Sequence, residues 1–250
     1  MLKLENIVKK YDDKTVVDNV SVEVQAGEIL AIVGESGSGK TTFLNIISGN
    51  IMPDEGKLWL NNEALNLYFN RLIRDFPNIK LVPQDYRLKP EHKIWENIDL
   101  ALTHYTPEYR KERVKELLEL CGITAVKDKK PREVSGGEKQ RTAIARAIAE
   151  EPLALLLDEP FSNLDSINRT KLRSKIVEII KKELIACVLV THDLLDAFLV
   201  ADKIAIMHQG KILKIDTPQN IYDEQTDEYI KHFVQSAIEP IKVFQERYVL

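Results

Sequence analysis

Three scarcities narrow what this chain is. It carries two cysteines in 250 residues, Cys121 and Cys187. That is too few for a disulfide framework, and Cys187 stands inside an apolar run, where a buried thiol is the plain expectation. No apolar run approaches the roughly twenty residues that cross a bilayer; the longest are segments such as Leu153 to Leu157 and Ile185 to Val190. Nor is there a charge excess: 35 Lys plus Arg stand against 39 Asp plus Glu, a net charge of −4. That balance removes a global basic footprint for nucleic acid. The start, MLKLENIVKKYDD, has no apolar stretch ahead of a small-residue cleavage site, so no secretory leader is expected. The rest, 44% apolar and 30% charged, is an ordinary globular composition. The expected setting is cytoplasmic.

Alternation of apolar and polar residues from Leu2 to Val24 predicts two short strands joined by a turn at Asp12-Asp13. Glu28 to Val33 reads as a strand ending in a glycine-rich loop, and Thr41 to Ser48 as a helix closed by Gly49. Residues 56 to 69 return to short strands, and Ile79 to Val82 is another. Helical runs at 108 to 120 and 138 to 150 follow, bounded by Pro107 and Pro152. Leu153 to Leu157 and Ile185 to Val190 suit parallel strands buried on both faces, with a helix from Arg169 to Glu183 between them. Lys203 to Met207 and Lys211 to Ile215 form a strand pair around Gln209-Gly210; Pro218 to Ser236 reads as two short helices. Near-alternating apolar residues from Ile238 to Leu250 predict an edge strand or a partner contact.

Gly34-Glu35-Ser36-Gly37-Ser38-Gly39-Lys40-Thr41, followed by Thr42, lies between a strand and a helix. Glycines there permit a tight loop whose N–H groups converge on phosphate oxygens at the positive end of the helix dipole. Lys40 would reach the β and γ phosphates, and Thr41 would offer its hydroxyl to Mg²⁺. Leu155-Leu156-Leu157-Asp158-Glu159-Pro160 delivers acids at the C-terminal end of a buried strand, where ligands of parallel sheets bind. Asp158 is the expected metal partner, and Glu159 the group that orients or deprotonates water.

Over roughly residues 2 to 235 the chain resembles the ATPase subunit of ATP-binding cassette (ABC) transporters. Val134-Ser135-Gly136-Gly137-Glu138-Lys139-Gln140-Arg141 is similar to that family's signature motif, with glutamate where glutamine is common; Lys139 or Arg141 would compensate the extra charge. On its own terms Ser135 caps a helix, and the two glycines expose N–H groups at its start. The resemblance implies an α/β fold: a P-loop NTPase core with an antiparallel β subdomain and an inserted helical signature subdomain. It implies one domain over 1–236, with a helical insertion at about 86–151 and a C-terminal extension at 237–250.

It also implies roles. Tyr11 would stack on adenine, the alternative being simple packing. Gln84 would touch Mg²⁺ and the attacking water, and His192 the γ-phosphate. Ser135, Gly136 and Gly137 would close over the nucleotide of a partner chain. Asp165, in Ser162-Asn163-Leu164-Asp165, would cross the interface, with Asn163 replacing a usual small residue. His92, His104, His208 and His232 have no such context, and the basic cluster at Lys127, Lys129, Lys130 and Arg132 reads as a solvated face. The implied ligands are ATP and Mg²⁺. The implied partners are transmembrane permease subunits and a second cassette, identical or paralogous, with no nucleic acid. The implied place is the cytoplasmic face of the inner membrane. The permease would dock beside Gln84 to Pro90 and Trp95, although Trp95 suits a core equally. The compact single cassette favours an importer. An ATP-gated dimerisation switch serving a membrane or cell-division complex, without transport, is the alternative.

Overall fold

The computed structural model describes residues 1–66, 76, 78–162, 164–223 and 227–248, with the backbone alone for 240–242, 244–246 and 248. Strands β1 (Leu2–Tyr11) and β2 (Lys14–Val24) pair antiparallel around the Asp12-Asp13 turn. They are longer than the alternation suggested, because register shifts after Leu4, Ile7 and Lys9 break the strict period of two while pairing continues. With β4 (Glu55–Leu60) and β5 (Glu63–Ala64) they form an antiparallel sheet in the order β2-β1-β4-β5. The strand expectation beyond residue 66 lies outside the described residues.

The second sheet holds β3 (Ile29–Val33), β6 (Ile79–Val82), β7 (Ala154–Asp158), β8 (Ala186–Thr191), β9 (Lys203–His208) and β10 (Lys211–Asp216), in the order β10-β9-β3-β8-β7-β6. Its strands run parallel except β10, which returns antiparallel along β9. Strands β3, β7, β8 and β9 are buried on both faces while β10 is largely exposed, and the residue alternation sorts side chains between two cores. Ile29, Ala31, Leu155, Leu157, Cys187 and Leu189 face one; Leu30, Ile32, Leu156, Val188 and Val190 face the other. That arrangement explains the continuous apolar runs. Both thiols are buried, and burial pushes the Cys121 thiol up to about 12.

Helix α1 (Lys40–Ile47) follows β3. Between β6 and β7 the chain is helical: α2 (Ile94–Asp99), α3 (Pro107–Leu120) and α4 (Gly136–Ile148), linked by short 3₁₀ turns. Pro107 starts α3 with Thr106 as its cap. Helices α5 (Ser166–Glu183) and α6 (Leu194–Val200) flank the sheet, and α7 (Pro218–Asp223) and α8 (Glu228–Tyr248) end the described chain. The edge strand expected after Ile238 is absent: α8 runs unbroken to Tyr248. Ile230 and Val234 are buried, and Phe233, Ala237 and Ile238 pack on the core beside them. That three-to-four spacing is a helical period, and it overrides a short alternating stretch.

Because β3, β6, β7 and β8 are parallel and in register, their C-terminal ends fall on one edge. Val33 pairs with Thr191, Asp158 with Val190 and Val82 with Leu157.

Candidate functional site

At that edge lies a cavity of about 480 Å³. Ser36, Gly37, Gly39, Lys40, Thr41 and Thr42 line it from the loop after β3, and Gln84, Asp158, Glu159 and His192 from the ends of β6, β7 and β8. Ten residues expected from the sequence therefore meet in one place. Val16, in β2, joins them without having been foreseen.

The loop's shape depends on close backbone approach. A Cβ on Gly34 would collide with the Met207 carbonyl, and one on Gly39 with the Val16 carbonyl. Lys40 is 7% exposed. Its ammonium donates to the carbonyls of Gly34 and Glu35, both at 2.8 Å, and to Ser38 Oγ at 3.3 Å. Burial lowers its pKa, opposed by the charges of Glu159, Asp158 and Glu35. Burial and then Glu159 raise the pKa of Asp158, with Lys40 opposing. One buried cation therefore faces two acids.

Glu159 occupies the left-handed region at φ 48, and its N–H donates to the Val190 carbonyl at 2.9 Å. Such a conformation in a non-glycine residue persists only where surrounding structure fixes it. His192 Nδ1 lies 2.9 Å from both Glu159 carboxylate oxygens. With its proton on Nδ1, the ring would donate to that carboxylate. The sequence placed both residues at the site without foretelling this contact. Gln84 Nε2 donates to Ser162 Oγ at 3.2 Å, and Ser162 Oγ donates to the Glu159 carbonyl at 3.0 Å. Ser162 thus ties Gln84 to the strained residue.

Other expected residues stand apart from this cavity. Tyr11 is 45% exposed at the β1–β2 turn, with Lys9 Nζ 5.6 Å from its ring centroid. Ser135 caps α4 and Asp165 caps α5. Asn168 donates to Asp165 from its backbone N–H at 2.9 Å and from Nδ2 at 2.6 Å, which holds that carboxyl below its ordinary range. Asn163 lies outside the described residues. Glu138 closes a capping box, accepting from Ser135 N–H at 2.7 Å and Ser135 Oγ at 2.8 Å. Burial opposes its ionisation. The Ser135 donors, with Arg141 and Lys129 behind them, nevertheless hold the carboxyl below its ordinary range. Ser135, rather than Lys139, is its main support.

Two residues that organise the neighbouring loop were missed. Tyr86 and Arg87 are both left-handed, at φ 62 and 45. Arg146, on α4, donates to the Tyr86 carbonyl at 2.9 Å and to the Arg87 carbonyl at 2.7 Å. Fully buried Asn97 donates to the carbonyls of Lys89, His92 and Lys93 and accepts from Lys89 N–H. Arg146 acts on main chain 59 and 60 residues away, which no local pattern announces; Asn97 acts on main chain four to eight residues before it, without a motif that marks it. Trp95 packs on the core, as one of its two expectations had it; it also lines a cavity of about 720 Å³ with Arg110, Val114 and Leu118, which includes no residue from Gln84 to Pro90.

The ABC transporter family profile matches residues 17–162, more than half of the chain. The chain belongs to the ABC transporter family. Among curated relatives of this cassette, the Fe(3+) ions import ATP-binding protein FbpC of Photorhabdus laumondii is 37% identical over 238 residues, 94% of this chain and 67% of that protein. The spermidine/putrescine import ATP-binding protein PotA of Nitratidesulfovibrio vulgaris is 36% identical over 94% of this chain and 63% of its own length. The chain therefore spans about two thirds of these two relatives. It spans 97% of the probable sulfate/thiosulfate import ATP-binding protein CysA of Chlorella vulgaris, at 36% identity over 92% of this chain. Among solved structures, a dimeric post-hydrolysis state of the ATP-binding cassette MJ0796 bound to ADP and Pi superposes with a TM-score of 0.74. It is 30% identical, over 87% of this chain and 99% of that one. The cassette has the P-loop α/β fold and is an ATP-binding, ATP-hydrolysing subunit of an ABC transporter.

Proposed function

We propose that two cassettes bind head to tail and hydrolyse ATP at composite sites, and that the resulting opening and closing drives a separate transmembrane partner. The supporting observation is the convergence of Lys40, Asp158, Glu159 and His192 on one cavity at the sheet edge. The phosphate-loop N–H groups and Lys40 hold the β and γ phosphates of ATP; Tyr11 lies against adenine. Glu159 accepts a proton from water as its oxygen attacks the γ-phosphorus in line, and the bond to the β–γ bridging oxygen breaks to leave ADP. His192 Nδ1, 2.9 Å from both carboxylate oxygens, orients Glu159, and its ring faces the γ-phosphate. Ser135, Gly136 and Gly137 of a second cassette cover that phosphate, and Asp165 meets the opposite phosphate loop. Thr41, Gln84 and Asp158 form an all-oxygen donor set, and burial of the Asp158 carboxyl makes an environment that a hard dication relieves. Mg²⁺ held there would neutralise charge on the β and γ phosphates.

The cassette proper is residues 1–236, with its helical insertion at about 86–151, and 237–250 is an extension. No helix among the described residues is long and apolar enough to cross a membrane; this reading assigns the transmembrane path to permease chains. The cassette then sits on the cytoplasmic face of the inner membrane, and a helix of the permease docks beside Gln84 to Pro90, against Tyr86, Leu88 and Trp95. Three relatives named for import of three different cargoes support the import direction. Their differing cargoes support a reading in which cargo is chosen outside the cassette. Glu159→Gln tests the reading: ATP binding is retained, turnover falls about 1,000-fold or more, and an ATP-dependent dimer accumulates on sizing. Unchanged turnover would remove Glu159 from its role.

A further inference from the structure

The phosphate loop has a support that none of those roles uses. Its floor is the end of β9 and the turn after it. Gly34 lies directly on the Met207 carbonyl, and Gly210 N–H donates to the Ser38 carbonyl at 2.9 Å. His208 stands between those two contacts. Tyr229, at the start of α8, packs on the His208 ring with centroids 3.8 Å apart at 35°. Phe233, one turn further, stacks on Tyr229 at 5.9 Å and 9°. The Tyr229 hydroxyl is buried beside Glu35 of the loop: burial, and then the Glu35 charge, push its pKa up, and a contact with the Glu35 main chain opposes them. Helix α8 also packs on α6, which begins two residues after His192. It therefore touches the surroundings of the site from both sides.

We propose that Tyr229 is a positioning residue for the phosphate loop: through His208 it fixes the end of β9 on which Gly34 and Ser38 rest. The loop works by convergence of backbone N–H groups, so displacement of its floor by a fraction of an ångström weakens nucleotide binding. The stack is the contact by which α8 holds that floor. Linkage makes the effect reciprocal, so nucleotide binding stabilises the docked state of α8. The proposal rests on reading residues 34–41 as the phosphate holder, and the test separates the two ideas.

MgATP affinity, steady-state kinetics and melting temperature are measured for Tyr229→Ala, Tyr229→Phe, His208→Ala, the Tyr229→Ala/His208→Ala double variant and Lys40→Ala. Tyr229→Ala and His208→Ala each raise Kd and KM about five-fold, with kcat at saturation within about two-fold of the parent. Tyr229→Phe keeps the ring stack and stays within about two-fold throughout. The double variant is no weaker than either single one, the signature of a shared contact. A merely structural role would lower the melting temperature and leave Kd alone. If the alanine variants bind ATP normally while Lys40→Ala does not, the role of Tyr229 falls and the loop reading stands. If Lys40→Ala binds ATP normally, the loop reading falls, and this proposal with it. Should Tyr229→Ala fail to fold, amide exchange of the parent protein decides. ATP must slow exchange in residues 228–238, and unchanged protection there overturns the proposal.

Discussion

On one side of the cassette, the loop from Gly34 to Thr41 rests on main chain from three directions: Val16, Met207 and Gly210. Its one ammonium is satisfied by Gly34, Glu35 and Ser38. On the other side, Gln84 leads into two successive left-handed residues, and α4 buries polar atoms without partners. Gln140 is 0% exposed, and neither of its amide atoms has a hydrogen-bond partner among the described residues. Arg141 Nε and Arg169 Nε are in the same position. Buried polar groups are nearly always paired, so this clustering is informative. On the phosphate side left-handed Glu159 is the strained residue and the Tyr229 hydroxyl is buried beside Glu35. The signature side gathers more of the unmet hydrogen bonding, at Gln140, Arg141 and Arg169, as expected where two arrangements lie close in energy.

The largest effect that would sharpen this contrast is at Asp158. Asp158→Asn lowers turnover about 100-fold or more, because it removes the charged member of the oxygen donor set. The same change stabilises the free cassette. Burial and Glu159 raise the folded-state pKa of this carboxyl, so its contribution is present below the unfolded value near 4 and is lost as pH rises through the folded value. The melting temperature of the variant therefore exceeds the parent's at pH 7, and the gap closes on acidification. A lower melting temperature at pH 7 would break the claim.

Next comes Arg146→Ala, which removes two charged hydrogen bonds to strained carbonyls and costs about 2–4 kcal/mol in denaturant unfolding. Turnover falls more than ATP affinity; equal losses would mean that the two halves are not separate. A smaller effect of opposite sign is expected from Gln140→Met. It removes an unpartnered buried amide at similar volume and raises stability by about 1 kcal/mol, with turnover reduced. A destabilised variant would mean that the amide is satisfied after all. Least is expected from Glu138→Gln. It keeps the capping box, so turnover stays within about two-fold. The lowered Glu138 pKa contributes stability above the unfolded value and loses it as pH falls through the folded one, so this variant is less acid-sensitive near pH 4 than the parent.

The same contrast governs what could be read before the structure. The phosphate loop and the Asp158-Glu159 strand end are local: residue types, spacing and flanking elements state their chemistry within a dozen positions. Ser135 was legible as a helix cap, Asp165 was not, and only resemblance to a family gave either a partner's nucleotide to meet. Contacts between distant segments left no trace in the sequence. Arg146 on the Tyr86 and Arg87 carbonyls and Tyr229 on His208 join side chain to main chain or ring to ring between separate elements. The tail was misread for a simpler reason. A short alternating stretch after Ile238 resembled a strand, while the helical period set up from Ile230 to Ile238 carried the chain on as α8.

One mixing experiment addresses the central claim, that each cassette holds half of two catalytic sites. Lys40→Ala keeps its Ser135 segment, and Ser135→Arg keeps its phosphate loop; each variant alone is expected to form no complete site. Mixed in equal amounts with MgATP, they build heterodimers in which Lys40 of one chain faces Ser135 of the other. ATPase activity is predicted to return to about one quarter of the parent rate, since half the pairs are mixed and each has one intact site. Two folded, ATP-inactive variants that remain inactive together would contradict the composite site, as would Ser135→Arg hydrolysing ATP at the parent rate alone.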